Sequence, residues 1–231
     1  MKKRPLIVIQ LFIISVLFIT LATSCKKEND DTETVTDSDG NVYNTVTIGT
    51  QVWLKENLKT TKLNDGTPIP LVTDQTAWSN LKTMGYCWFM NDEATYGSDY
   101  GALYNWYAAN NGKLCPQGWH VPTDAEWSTL INHEGGENIA GGNLKEDGFS
   151  HWKSPNSGAI NKSGFTARPG SYRSASGTFA NSAFGEIGYY WSTTEYPADW
   201  AYNRYFYHDD TKVSRSYNYK ENGFSVRCIK D

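Results

Sequence analysis

The sequence predicts an α+β protein in which short helices precede a run of antiparallel strands. A capped amphipathic helix begins at Thr123, and strand patterns follow at residues 189–194, 202–208, 212–217 and 224–229. Two sets of side chains alternate along 202–208, which indicates an antiparallel sheet with one wetter face. Helices and strands that are segregated along a chain are typical of the α+β class.

The N-terminus has the pattern of a secretory signal. Basic residues at 2–4 precede an apolar run at 6–22, as in signal peptides. The small residues before Cys25 resemble a bacterial lipobox, so we expect cleavage after residue 24 and a diacylglycerol on the Cys25 thiol. A retained membrane anchor is the alternative, because the run approaches the roughly 18 residues that a spanning helix needs.

Residues 25–40 are acidic and almost free of apolar side chains, which predicts a disordered tether. Its first residues, 26–31, resemble the acidic export signals of outer-membrane lipoproteins. They favour the cell surface over the periplasmic face, while a plain solvated linker stays open. Residues 41–231 then form one domain, large enough for a core of its own.

The charge balance excludes one class of partner. Loss of residues 1–24 removes three of the 21 basic residues and none of the 25 acidic ones, so the net charge changes from −4 to −7. Nucleic acid is a poor partner for such a chain. The membrane is expected to be a partner only through the N-terminal lipid.

The helix at Thr123 has the clearest start signal in the domain. Thr123 and Glu126 form a capping-box pattern. Trp127, Leu130 and Ile131 then fall on one face of the helix. The elements expected before it are a hairpin at 42–54, a turn at 64–66, a helix from 73 or 74 to 81, a strand at 86–90, and a segment at 103–109 that fits a strand or a helix.

A long segment, residues 135–188, separates this helix from the late strands. It is rich in Gly, Ser and Asn and shows little periodicity beyond a short helix at 139–145. Aromatic residues nonetheless recur along it. Ordered loops of this length tend to carry function, so we expect part of a binding site here.

These patterns resemble a known family. Residues 118–127 are similar to the "R-L-P-T-E-A-E-W" signature of the formylglycine-generating-enzyme-like group of C-type-lectin-like folds. The chain resembles more closely the Fibrobacter succinogenes major paralogous domain family, found in surface proteins and lipoproteins of Bacteroidetes and Fibrobacter bacteria. The matching blocks are 39–43, 48–53, 56–58, 64–70, 86–89, 101–106 and 223–228.

The resemblance implies a C-type-lectin-like fold with antiparallel strands, two or three short helices and a long loop region. It also implies a disulfide between Cys115 and Cys228, because such folds tie the helical region to the last strand. Three cysteines remain after processing. Cys87 is expected to be a buried thiol, and its pairing with either of the others stays open.

The sequence contains no catalytic motif that would predict an enzyme. The sequence lacks a G-x-S-x-G elbow and H-E-x-x-H spacing. The paired cysteines of the formylglycine-generating enzymes are also missing, so the resemblance does not bring that activity. No cofactor is expected, with calcium as the open alternative, for which Asp92, Glu93 and Asp99 are weak candidate ligands.

The many aromatic side chains of the sequence favour a binding surface. Aromatic and arginine side chains anchor many interfaces, and rings also stack on sugars. We therefore predict a lipid-anchored module of the cell envelope that recognises a glycan or a protein. A structural or adhesin component of a surface assembly and an envelope enzyme with an unrecognised site are the alternatives. The candidate ligand-binding residues are Trp152, Tyr172, Arg173, Trp191, Tyr196, Trp200, Tyr202 and Tyr205.

Overall fold

The computed structural model describes Met1 and residues 33–231, which form a mixed structure with mostly antiparallel strands and a few short helices. The strands are β1 (Thr34–Thr36), β2 (Val42–Ile48), β3 (Gln51–Leu54), β4 (Tyr86–Cys87), β5 (Leu103–Tyr104), β6 (Trp119–His120), β7 (Ile187–Tyr196), β8 (Trp200–Tyr207), β9 (Val213–Tyr219) and β10 (Ile229–Lys230). The helices are α1 (Gln75–Ser79), α2 (Glu93–Tyr100), α3 (Trp106–Ala109), α4 (Asp124–His133) and α5 (Glu137–Leu144), with 3₁₀ turns at Phe89–Asn91 and Asn181–Ala183.

The predicted signal peptide, apart from Met1, lies outside the described residues, and so does Cys25. In the part of the chain that the structure describes, no helix is long and apolar enough to cross a membrane.

The first sheet has the strand order β1-β2-β3-β10-β6 and confirms the predicted hairpin. β2 and β3 pair antiparallel with Val46 opposite Trp53, and Gly49 adopts the positive φ that the turn requires. The C-terminal strand β10 inserts between β3 and β6. The last predicted strand, 224–229, is wrong in length, because residues 224 and 225 form only isolated bridges before β10.

The tether prediction is wrong for residues 33–40. Strand β1 lies in this segment and pairs with β2, and the Asp37 carboxylate accepts from the Tyr43 hydroxyl at 2.6 Å. Asp39 likewise accepts from the amide of Thr61. Backbone pairing and carboxylate acceptors order a polar segment that composition alone marks as disordered. The remainder of the predicted tether lies outside the described residues.

The capped helix is confirmed as α4. The Thr123 hydroxyl accepts from the Glu126 amide at 3.2 Å, and the Glu126 carboxylate accepts from the Thr123 amide at 2.7 Å. Trp127, Leu130 and Ile131 are buried as the periodicity predicts. The ambiguous segment 103–109 resolves into both alternatives: strand β5, then one turn of helix α3.

Strands β7, β8 and β9 form a separate antiparallel sheet and confirm three of the late strands. Because residues directly opposite each other share a face, the register assigns the side chains to faces. Phe206 lies opposite Val213 on the face covered by α4 and α5, and both are buried. On the other face, Trp191 and Ala201 join the core around Tyr104.

Buried cations order the long loop region. Lys145 is fully buried, and its ammonium donates to the carbonyls of Ser157, Tyr207 and Asp210 at 2.8–3.1 Å. These carbonyls belong to the long loop, to the last residue of β8 and to the turn after it. One side chain thus holds together two segments that have few apolar residues of their own.

Arg227 performs the same task next to the first sheet. It is fully buried and donates to the carbonyls of Leu54, Phe165 and Thr166 and to the Asn57 side chain. Its guanidinium also lies 4.5 Å from the Phe165 ring centroid. The loop at 165–166 is therefore joined to the end of β3 through one arginine.

The disulfide between Cys115 and Cys228 is confirmed. It connects the segment before β6 with the residue that precedes β10, so it ties the start of the α4 region to the last strand. Cys87 is free and buried, and burial raises the pKa of its thiol to about 12. It is therefore a packing residue and not a reactive thiol.

Candidate functional site

Five aromatic side chains cluster at one end of the sheet β7-β8-β9, and two of them are exposed while three are half-buried. In the register, Tyr196 lies opposite Trp200, Trp200 opposite Tyr219, and Tyr202 opposite Tyr217. All five therefore lie on the same face, at the end where β7 turns into β8. We call this set the aromatic patch: Tyr196, Trp200, Tyr202, Tyr217 and Tyr219.

The position of α4 explains why the patch reaches solvent. The helix covers the inner half of this face, where buried Arg204 donates to the Asp124 carboxylate at 2.8 Å. Asp124 is the first residue of α4, and the strands continue beyond it. Among the residues that the structure describes, no helix covers the side chains between Arg204 and the β7–β8 turn.

The rings of the patch fix one another. Tyr196 stacks on Tyr217 with centroids 4.1 Å apart, and Trp200 stacks on Tyr219 at 4.0 Å. Tyr202 packs edge-on against Tyr196 at 5.3 Å. Tyr217 and Tyr219 still expose 45% and 46% of their surfaces. The patch is thus a stacked aromatic surface that contacts solvent mainly through Tyr217 and Tyr219.

Arg215 adds a charged border to the patch. Its guanidinium lies 3.9 Å from the Tyr202 ring centroid, and its Nε donates to Asp124 at 2.9 Å. Asp124 therefore carries two arginines, Arg204 and Arg215, at the N-terminus of α4, where a negative charge is favourable. This arrangement holds Arg215 against the Tyr202 ring.

Three of the eight predicted ligand-binding residues are buried, and their assignment is wrong. Trp152 donates its indole N–H to the Ala167 carbonyl, and Trp191 donates to the Tyr104 carbonyl. The Arg173 guanidinium donates to backbone carbonyls, including that of Val72, at 2.6 Å. Large side chains whose polar atoms are satisfied internally belong to the core and not to an exposed aromatic surface.

Tyr172 and Tyr205 are half-buried and belong to a second cluster. Tyr189 packs against both of them, with centroid distances of 5.1 Å, and exposed Tyr207 continues the row. Successive side chains of a strand point to opposite faces, and Tyr205 is three positions from Tyr202 in β8. This cluster therefore lies on the opposite face from the aromatic patch. The structure does not bring these two candidates together with Tyr196, Trp200 and Tyr202.

Tyr217 and Tyr219 were missed by the sequence reasoning. They alternate with Ser216 and Asn218 in β9, and this period of two was the signal that could have found them. The predicted strand stopped at residue 217. Extending it by one strand period would have placed both tyrosines on the face of Tyr202.

The three weak candidate calcium ligands have different partners and do not form one site. Asp92 caps α2 by accepting from the Thr95 amide at 3.0 Å, and Asp99 pairs with Arg168 at 3.1 Å. Glu93 lies on the wall of a cleft next to α2. Within the described residues, no group of three or more His, Cys, Asp or Glu side chains is placed to hold a metal ion.

A cleft of about 420 Å³ lies next to α2 and has two carboxylates, Asp39 and Glu93, on its wall. Burial acts to raise the pKa of Asp39, but hydrogen bonds from Thr61 and the ion pair with Lys62 outweigh it and hold the pKa below its usual value. Asp39 therefore stays ionised.

The comparisons with known proteins give a family. A search of the curated proteins and a search of the solved structures each returned no match. The model of the Fibrobacter succinogenes major domain matches residues 46–230, which is most of the chain. This confirms the resemblance seen in the sequence, and the chain belongs to the Fibrobacter succinogenes major domain family.

Proposed function

We propose that this protein is a binding module of the cell envelope that recognises a glycan or a protein through the aromatic patch. The observation that carries the proposal is a set of five mutually packed aromatic rings, two exposed and three half-buried, bordered by Arg215. Trp, Tyr and Arg dominate binding hot spots, and rings that are already ordered lose little entropy on binding. The proposal assigns the chain no enzymatic activity.

A glycan array tests the proposal. Residues 33–231 would be screened with calcium and with chelator, alongside Trp200→Ala and Tyr219→Ala. We expect specific binding that each substitution weakens at least about tenfold, which corresponds to roughly 1.4 kcal/mol. The matched control is Tyr207→Ala, an exposed tyrosine on the opposite face, which should bind like the parent.

Three results would change this proposal. If the folded protein with its disulfide binds no glycan, the ligand is not a sugar and a protein partner becomes the subject of the search. If Tyr207→Ala weakens binding and Trp200→Ala does not, the aromatic patch is the wrong surface. Loss of binding with chelator would add calcium to the site.

We also propose that Cys25 carries the lipid that places the module at the outer membrane, with its domain on the cell surface. Small residues before Cys25 and the acidic segment after it support this. Mass spectrometry of the mature N-terminus is expected to show a diacylated Cys25, and Cys25→Ala should release the protein from the membrane fraction. An unmodified, uncleaved N-terminus would exclude it.

We also propose that the domain has a C-type-lectin-like fold. The disulfide from the α4 region to the last strand and the long, ordered loop segment support a C-type-lectin-like fold. An experimental structure that superimposes on such folds, with the same strand order around β10, is the expected result. A different strand order would rule the assignment out.

A further inference from the structure

The two edges of the sheet β7-β8-β9 differ in how they are covered. Along the outer edge of β7, Trp191 donates its amide to the Ser225 carbonyl and Thr193 donates to the Pro122 carbonyl. Along β9, the corresponding edge has one bond within the described chain, from the Asn222 amide to the Tyr219 carbonyl. β9 is thus the open edge of the sheet.

The hydrogen bonds show which backbone groups face outward. The Lys220 amide donates to the Asp199 carbonyl at 2.9 Å, which makes Trp200 and Tyr219 a pair that does not exchange hydrogen bonds. The backbone groups of Tyr219 therefore point away from β8. Because the pattern alternates, those of Tyr217 and Arg215 point outward as well.

Open edges in natural sheets are normally protected by lysine, proline or a bulge. β9 contains no proline or lysine, and its register with β8 is continuous from Val213 to Tyr219. Its single charge, Arg215, is turned onto Tyr202 and Asp124 and does not stand over the edge. The strand is therefore available for pairing.

The open stretch is short. Gly141 of α5 packs so closely on the strand entrance that a Cβ at this position would lie 2.6 Å from the Thr211 carbonyl oxygen. Val213 is fully buried. Five residues remain accessible along the edge, from Arg215 to Tyr219, with Tyr217 at the midpoint.

We propose that this stretch pairs antiparallel with the same stretch of a second copy, with Tyr217 on the two-fold axis. In that register Tyr217 exchanges backbone hydrogen bonds with the partner's Tyr217, and the Tyr219 amide donates to the partner's Arg215 carbonyl. Arg215 lies opposite the partner's Tyr219, and Ser216 opposite the partner's Asn218. The strand is self-complementary because no like charges meet and each cation faces a ring.

Such pairing would join two aromatic patches. Tyr217 and Tyr219 lie on the face of the patch, so one continuous six-stranded sheet would present both sets of rings side by side. The second copy thereby contributes to the candidate binding surface. The pairing itself does not depend on what that surface binds.

A charge-swap experiment tests the register. Two differently tagged copies of the full chain would be co-expressed, solubilised in mild detergent and purified on the first tag, and the second tag would be quantified. Parent copies are expected to co-purify. Tyr217→Lys with itself and Tyr217→Glu with itself should co-purify about tenfold less, since like charges then face each other across the axis. Tyr217→Lys with Tyr217→Glu should recover most of the parent signal.

The comparison is matched, because both substitutions remove the same stacking on Tyr196. Tyr207→Lys and Tyr207→Glu, exposed on the opposite face, serve as controls and should leave co-purification unchanged. Absence of co-purification between parent copies would overturn the proposal. So would a Lys–Glu combination as weak as the two like-charged ones, because Tyr217 would then not face itself.

Discussion

At the scale of single residues, the unusual feature is the use of buried cations without buried carboxylates beside them. Lys145, Arg173 and Arg227 are each at most 1% exposed and donate mainly to backbone carbonyls. Carbonyl groups of irregular loops need donors, because an unpaired buried carbonyl costs about as much as a lost hydrogen bond. Long basic side chains supply several donors from one position, which suits loops that have few strand partners.

Lys145 should be detectable by its titration. Burial lowers its pKa from 10.5 to about 8, against the opposing effect of Asp210 and Asp209. Between these values the unfolded chain binds more protons than the folded one, so this residue's contribution to stability rises with pH across that window. In NMR of ¹³C-labelled lysines we expect one resonance to titrate near pH 8 and to vanish in Lys145→Arg. A full set of lysines that titrate above pH 10 would contradict this prediction.

Arg227→Lys should destabilise the fold in spite of the retained charge. A lysine cannot donate at once to Leu54, Phe165 and Thr166 in the geometry of a guanidinium, so buried carbonyls lose their donors. We expect a loss of about 2–3 kcal/mol in the free energy of unfolding, measured with guanidinium chloride. Arg215→Lys, at an exposed ion pair, should cost less than about 1 kcal/mol. Equal effects of the two substitutions would argue against a structural role for Arg227.

At the scale of elements, His120 joins β6 to two neighbours. Its Nδ1 lies 2.6 Å from the Asp231 carboxylate, and its Nε2 lies 2.9 Å from the carboxylate of Glu126 in the first turn of α4. Burial acts to lower the pKa of His120, but the two hydrogen bonds and the two negative charges outweigh it and raise the pKa above 6.5. The ring therefore binds the strand to the helix most firmly when it is protonated.

This geometry makes a pH-dependent prediction. A histidine with a raised folded-state pKa stabilises fully below pH 6.5, and the stabilisation is lost as pH rises through the folded-state pKa. The difference in unfolding free energy between the parent and His120→Gln should therefore be largest near pH 5.5 and shrink by pH 8.5. His133→Gln is the control, because the structure gives this exposed histidine no side-chain partner among the described residues. A difference that stays constant with pH would refute the charge contribution of His120.

At the scale of the whole molecule, local patterns predicted the elements and failed on burial. The capping box at Thr123 and the hairpin around Gly49 depend on neighbours within a few residues, so the sequence contains them in full. Whether Trp152 or Trp191 faces a ligand or the core depends on Ala167 and Tyr104, which are distant in sequence or on other elements. Residue type alone cannot decide that.

The candidate site shows the same division. Tyr196, Trp200 and Tyr202 are close in sequence and were predicted together, whereas the stacking partners of Tyr196 and Trp200 come from β9 across the sheet. The ordered segment at 33–40 was missed because its acidic residues act as acceptors for groups elsewhere. The disulfide was expected from the family resemblance, since spacing alone leaves the pairing of three cysteines open.

The disulfide should be the largest single contribution to global stability. Cys115 and Cys228 are 113 residues apart, and a cross-link over a loop of this length removes chain entropy from the unfolded state equivalent to about 4–5 kcal/mol. Replacing both cysteines by serine is expected to lower the free energy of unfolding by about that amount, measured with guanidinium chloride in the absence of reductant. Cys87→Ala, which changes a buried thiol outside the bond, should cost about 1 kcal/mol. A double variant as stable as the parent would show that the first sheet, with β10 inserted between β3 and β6, already fixes the C-terminal strand without the covalent link.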